Sequence, residues 1–241
     1  MNKLLILFLT VLLLAACNGV GGAPEPVTLR LMTHDSFDIS QETIDQFTAE
    51  TGHQLEIFKA GDAGEVVNKA VLAKEAPLAD VLYGVDNTFL SRALDNDIFL
   101  PYVSPLLNQI DESLQLDSQN RALPVDFGDV CLNYDKAWFA ASELDPPGDL
   151  DDLIAPSYAG LTVVENPATS SPGLAFLMAT ISTYGEDGYV NYWQQLREND
   201  VQVVDGWESA YYGSFSAASD GDRPIVVSYA SSPPADVYFA A

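Results

Sequence analysis

The sequence predicts an α/β protein of two lobes, each a mixed, largely parallel sheet flanked by helices. Three observations predict it. From Val27 to Asp95 the pattern runs strand, helix, strand, helix, strand, helix, which sets parallel strands side by side. Residues 123–134 then form a long, extended, mostly apolar stretch suited to crossing into a second lobe. Beyond it, strand and helix patterns resume as far as Ser228.

The elements follow in order. Val27–Thr33 alternates as a first strand and ends in His34-Asp35-Ser36-Phe37. In open α/β sheets, ligand groups sit at such strand ends. Ser40–Thr51 reads as a helix capped by Ser40, with Ile44 and Phe47 inward and Gly52 as its stop. Gln54–Lys59 is a second strand, Gly61–Gly64 a loop, and Glu65–Lys74 a helix burying Val66, Val67, Ala70 and Val71. Ala79–Gly84 is a third strand running into Asp86-Asn87, followed by a short helix over Thr88–Asp95. In the second lobe, Leu161–Val164 is a strand. Leu174–Tyr184 and Tyr189–Asn199 are helices, with Tyr192, Trp193 and Leu196 inward. Val201–Val204 is a strand leading to Gly206-Trp207, Glu208–Ala218 is helical, and Ile225–Ser228 is a buried strand delivering Tyr229 and a Ser-Ser-Pro turn.

The chain has 241 residues, 48% hydrophobic and 19% charged, with a formal net charge of −25. That balance argues against nucleic acid, whose phosphates require a Lys/Arg surplus. Met1-Asn2-Lys3 and the apolar run Leu4–Leu14 have the length of a signal peptide rather than a membrane span. Leu14-Ala-Ala-Cys17 resembles a bacterial lipobox, which implies cleavage before Cys17 and lipid on its thiol. Residues 1–17 are therefore expected to be a signal, 18–26 a Gly/Pro-rich tether, 27–122 the first lobe and 123–241 the second. A chain that enters a second lobe ordinarily returns to complete the first, so the first lobe is expected to be incomplete and the sequence a C-terminally shortened piece. Cys131, the one remaining cysteine, reads as a small buried hydrophobe.

Several strand-end stretches carry groups suited to a ligand. Thr169-Ser170-Ser171-Pro172-Gly173 opens a helix, where hydroxyls, free N–H groups and the helix dipole favour an anion; the alternative is a plain N-cap. Asp62 could accept hydrogen bonds from a ligand amine or be a solvated turn acid. Asp86, Asn87 and His34 are either ligand groups or polar residues that close their turns. Trp207, placed after Gly206, and Tyr229 offer aromatic faces beside small polar residues such as Ser232, fitting a flat cation, or else they are core aromatics. No metal-binding, dinucleotide or phosphate-loop motif is present, and no cofactor is implied.

From Val27 to about Tyr238 the chain resembles the periplasmic thiamine-binding proteins of ABC importers, within the type II solute-binding superfamily. The matching stretches are Thr33–Phe37, the Asp62 loop before Val66-Val67-Asn68, Ala79–Asn87, Pro124–Gly128, Asn166–Leu174, Gly206–Tyr211 and Ser228–Pro233. The resemblance implies a non-enzymatic, monomeric receptor of the periplasmic-binding-protein type II fold that delivers thiamine or a thiamine phosphate to importer subunits. It puts the aminopyrimidine on Asp62, a phosphate at Ser170 and the aromatic wall on Trp207 and Tyr229. His34 stands where the family often has tyrosine, Ala235 replaces a further tyrosine, and a C-terminal tryptophan of the aromatic box is missing. Within the same superfamily, a ferric site of His34, Tyr211 and Tyr212 is the alternative, with polyamine or phosphonate ligands further options. A secreted hydrolase using Ser170 or Asp86 is a remote third reading.

Overall fold

The computed structural model describes residues 25–239, so the signal, Cys17, residues 18–24 of the tether and Ala240-Ala241 lie outside it. The chain divides into two compact units. One holds the described residues up to Leu29 with Ile39–Glu56; the other holds Arg30–Asp38 with Ile57 onward.

In the first unit, strand β1 (Thr28–Thr33) begins and helix α1 (Gln41–Thr51) follows. The Ser40 hydroxyl accepts from the N–H of Thr43, and Gly52 closes the helix at φ 74°, a conformation that favours glycine. Ile44 and Phe47 are half-buried. Strand β2 (Gln54–Lys59) starts here and runs on into the second unit.

The second unit contains two sheets. The smaller has the order β2-β1-β3, with β3 (Val81–Leu82) parallel to β1 through Leu31–Val81 and Met32–Leu82. The third strand is thus shorter than its apolar pattern suggests. Helix α2 (Ala63–Leu72) starts two residues earlier than predicted, because Asp62 accepts from the N–H of Ala63 and caps it. It buries Val66 and Val67 and leaves Ala70 and Val71 half-buried. Helix α3 (Leu90–Asp95) packs Ala93 beside Phe89 and Val67.

The larger sheet has the order β4-β7-β5-β6, from β4 (Val130–Tyr134), β5 (Thr162–Glu165), β6 (Gln202–Val204) and β7 (Ile225–Tyr229). β5 is parallel to both β6 and β7, while β4 is antiparallel to β7. Side chains alternate across this sheet. Val164, Ile225 and Val227 enter a core with Phe139, Leu153, Phe176 and Leu196, whereas Val163 and Val226 enter a second core with Ala210, Tyr211 and Phe215.

Helix α4 (Lys136–Ser142) escaped the sequence reading; Asp135 caps it by accepting from Ala137 and Trp138. The two helices expected after Leu174 form one element, α5 (Ser171–Glu198), broken at Gly185 (φ 71°). The helix expected over Glu208–Ala218 shortens to α6 (Trp207–Tyr211). The Ser-Ser-Pro turn instead opens α7 (Ser232–Phe239), whose two prolines fall in its first turn, where no N–H is required. Cys131 is exposed, not buried; it lies near the start of β4, the edge strand of its sheet.

Candidate functional site

A cavity of about 160 Å³ is lined by Asp35 and Ser36 after β1, Asp62 and Glu65 at the start of α2, and residues 205–209 around the start of α6. Both halves of the sequence therefore contribute to it. Five carboxylates (Asp35, Asp62, Glu65, Asp205 and Glu208) line it, with no lysine or arginine among the lining residues. Lys69 pairs with Glu65 at 3.6 Å on the surface of α2. An acidic cavity of this kind raises the local concentration of cations.

Asp62 is the pivot. Its Oδ1 accepts from Ala63, and its Oδ2 accepts from the backbone N–H of Trp207 at 2.9 Å. Asp62 is thus a cap and a cross-link at once, not the solvated turn acid that is the alternative to a ligand group. Gly206 lies tight beside it: a Cβ there would come 3.1 Å from Asp62 Oδ2, and the carboxylate would have to give by a few tenths of an ångström. One face of the Trp207 indole stacks on Tyr211, with centroids 5.0 Å apart and planes at 19°. Its Nε1 donates to Ser228 Oγ at 2.8 Å, and Ser228 meets Ser232 at 3.0 Å. The indole is pinned by its edge and one face while it lines the cavity.

The other predicted residues divide. Thr169 donates to the carbonyl of Asp205, and its own carbonyl accepts from Gly64, tying α2 to the loop before α5. Ser170 is the N-cap of α5 but makes no side-chain capping bond. The Ser170 and Ser171 hydroxyls are buried and lack partners among the described residues. Tyr229 is half-buried; its phenol is pushed up by burial and by the charges of Asp86, Asp62, Glu165 and Asp126. Asp86 accepts from Thr88 and Phe89 and serves a turn, and Asn87 is exposed. Of the predicted residues only Asp62, Gly206 and Trp207 line the cavity; His34, Asp86, Asn87, Thr169, Ser170, Ser171, Tyr229 and Ser232 do not.

His34 bonds Ser36 through Nδ1 at 2.9 Å and lies 5.8 Å from the Tyr83 ring. Burial lowers its pKa, against the opposing pull of Asp62, Asp126 and Asp35. The phenols of Tyr211 and Tyr212 both donate to Asp236. Burial, then that carboxylate, raises the pKa of each. His34 is thus bonded to Ser36 while Tyr211 and Tyr212 share Asp236, and the raised phenol pKa values make the phenolate form that iron requires harder to reach. Ser170 has no hydrogen-bonded base among the described residues, so the hydrolase reading gains nothing.

Sequence reasoning missed the density of acids: Asp35, Asp205 and Glu208 sit next to residues it singled out, and their spacing around His34 and Trp207 was a usable signal. It also missed Tyr83, whose hydroxyl donates to Asp126 at 2.5 Å and whose pKa is pushed up to about 12 by burial and that bond.

An α/β frame whose strand-end loops meet at a small acidic cavity with an aromatic wall is the architecture of a solute receptor. Residues 76–234 match the model of the bacterial extracellular solute-binding proteins, and the chain belongs to that family. It is 28% identical over 240 residues to the thiamine-binding periplasmic protein of Brucella suis biovar 1 (strain 1330), covering 95% of this chain and 66% of the relative. A solved periplasmic thiamin binding protein superposes with a TM-score of 0.72 at 26% identity, covering 88% of this chain and 64% of that one. Iron-bound HitA from Pseudomonas aeruginosa gives 0.65 at 22% identity, covering 85% and 63%, a likeness in fold alone. The chain spans 66% of the length of the Brucella and Salmonella typhimurium relatives it matches, and about half of those from Haemophilus influenzae and Escherichia coli.

Proposed function

We propose that the protein captures thiamine or a thiamine phosphate outside the cytoplasm and delivers it to an ABC importer, acting as a receptor without catalysis. The observation that carries this reading is the cavity itself: five carboxylates without a lining cation, walled by the pinned indole of Trp207. A quaternary thiazolium matches both features, because an aromatic face attracts a cation by roughly 0.5–2 kcal/mol. Asp62 is the acceptor for the aminopyrimidine, and its geometry beside Trp207 supports that role. Tyr229, outside the residues that line this cavity, is assigned a second aromatic face for the ligand, and Ser170 and Ser171 at the start of α5 are assigned to a phosphate. The relatives named for thiamine favour this ligand over iron.

The division into lobes 27–122 and 123–241, the lipid on Cys17 and the monomeric state belong to the same proposal. The test is a tryptophan-fluorescence titration with thiamine, thiamine monophosphate and Fe(III). Saturable quenching by thiamine supports the receptor reading. A flat response to thiamine with a coloured Fe(III) complex would replace it by the ferric one.

A further inference from the structure

Glu165 ends β5 and is completely buried, yet neither of its carboxyl oxygens has a hydrogen-bond partner among the described residues. Its position explains why this matters. Glu165 lies two residues beyond Val163 and Ser228 two beyond Val226, the pair matched between β5 and β7. Alternation therefore puts Glu165 and Ser228 on the face that carries Val163, Val226 and the Tyr211 ring. Ser228 is the residue that holds the Trp207 indole. Glu165 thus sits beneath the aromatic wall of the site, facing inward from the strand that leads into the Asn166–Ser171 loop.

An ionised carboxylate without partners is not tolerated in such a place, so the group carries a proton. Burial raises its pKa well above the ordinary value, its own backbone N–H pulls the other way, and the charge of Asp62 adds to the rise. The groups that face it are few. Asp62 comes from the start of α2 and Tyr229 from the end of β7, and both are coupled to it by charge. From β6 its paired neighbour is the apolar Val204, with Asp205 next in the chain. Tyr211 on α6 covers the same face with its hydroxyl committed to Asp236. The first turn of α5 brings no acid, only the unpartnered hydroxyls of Ser170 and Ser171. No lysine or arginine appears among these neighbours.

We propose that Glu165 is a positioning residue that holds a proton while the site is empty and releases it to solvent when a cation is captured, making ligand uptake proton-linked. The step balances simply: the carboxyl O–H bond breaks, the proton goes to water, and the ligand's positive charge offsets the carboxylate left behind. The inference rests on the reading of the site as a cation receptor. A cation stabilises the ionised form, so the bound state holds fewer protons than the free one. Affinity must then rise with pH between the bound and free pKa values of Glu165 and be flat outside them.

The experiment is calorimetric titration of the purified protein with thiamine, in buffers of different protonation enthalpy and at several pH values, beside Glu165→Gln. The wild type should release up to about one proton per thiamine, with affinity rising up to about tenfold per pH unit in the linked window. Glu165→Gln should still bind but lose that release and that part of the slope; the slope it keeps belongs to His34 and to the ligand. Equal release and equal slopes in the two proteins would overturn the proposal. Infrared spectroscopy separates the two readings. If thiamine does not bind, the receptor reading fails, while a protonated-carboxyl band in the free wild type, absent from Glu165→Gln, still supports the proton on Glu165. Absence of the band in the free protein overturns the proposal. Should the variant fail to fold, the wild-type band must disappear on thiamine binding, and a band that persists overturns the proposal equally.

Discussion

The backbone N–H of Trp207 donates to Oδ2 of Asp62 across 145 positions of sequence. One carboxylate thereby caps α2, fixes the start of α6 and lines the cavity, and both of its oxygens are used in doing so. Asp62→Asn has one acceptor oxygen where two are used, so it loses the bond from either Ala63 or Trp207 and should cost about 1 kcal/mol of stability while lowering thiamine affinity at least about tenfold, the scale of a lost charged hydrogen bond. Asp62→Ala removes cap and cross-link together and should cost about 1–2 kcal/mol of stability as well. Denaturant unfolding and fluorescence titration on both variants check this. Equal affinity in Asp62→Asn and the wild type would remove Asp62 from the ligand contacts.

The indole of Trp207 carries a second prediction. Trp207→Ala should weaken thiamine binding by at least about 1–2 kcal/mol, the value of a cation–aromatic contact. Ser228→Ala leaves the ring in place but strips Nε1 of its acceptor, so it should cost roughly 1 kcal/mol or less in affinity. Direct titration decides the ranking. A larger loss from Ser228→Ala would mean that indole orientation matters more than its face.

Much of this arrangement was legible in the sequence because it depends on local chemistry. Ser40 and Gly52 bound α1 as their types require, and the alternation of Gln54–Lys59 gave β2 to the residue. Gly206-Trp207 and Asp62 stood out as candidates and line the same cavity. What escaped depends on contacts distant in sequence. Glu165 looks like the polar end of a strand, and only the pairing of β5 with β6 and β7 shows that it is enclosed. Cys131 reads as buried in an apolar run, but its strand lies at a sheet edge, which the run itself does not reveal. Ser170 has the residue type of a cap, yet the main-chain bond from Ser170 to Asn166 closes the loop without the side chain.

Gly64 and Gly173 hold the ligand-side loops at close approach. A Cβ on Gly64 would meet the carbonyls of Ala168 and Thr169 at 2.8 Å, and one on Gly173 would meet the Glu165 carbonyl at 2.4 Å. These partners are backbone and cannot swing aside. Gly173→Ala and Gly64→Ala should each destabilise the fold by about 1–3 kcal/mol, as overpacking does. Gly188→Ala, in α5 and 3.2 Å from the Tyr184 Cβ, should be far milder. Comparative denaturant midpoints test the ordering.

Asp117 and Arg121 give a pH dependence whose sign is fixed. The carboxylate accepts from Arg121 Nε at 3.1 Å and Nη2 at 3.0 Å, and from the Arg121 backbone N–H at 2.7 Å, with only 8% of Asp117 exposed. The guanidinium bonds hold its pKa down to about 2, against an ordinary value of 3.8. The folded state therefore binds this proton less readily than the unfolded chain. The stabilisation is fully present above about pH 3.8 and is lost as pH falls through about 2. Asp117→Asn should melt at a lower temperature than the wild type near neutral pH, and the gap should close on acidification through that window. Because Arg121 also reaches the carbonyl of Leu94, the loss should loosen the segment after α3 and leave the cavity residues in place. Thermal melts of the two proteins across acid pH are the check. A gap that stays constant would mean that the pair stabilises through shape and packing, with its charge contributing nothing.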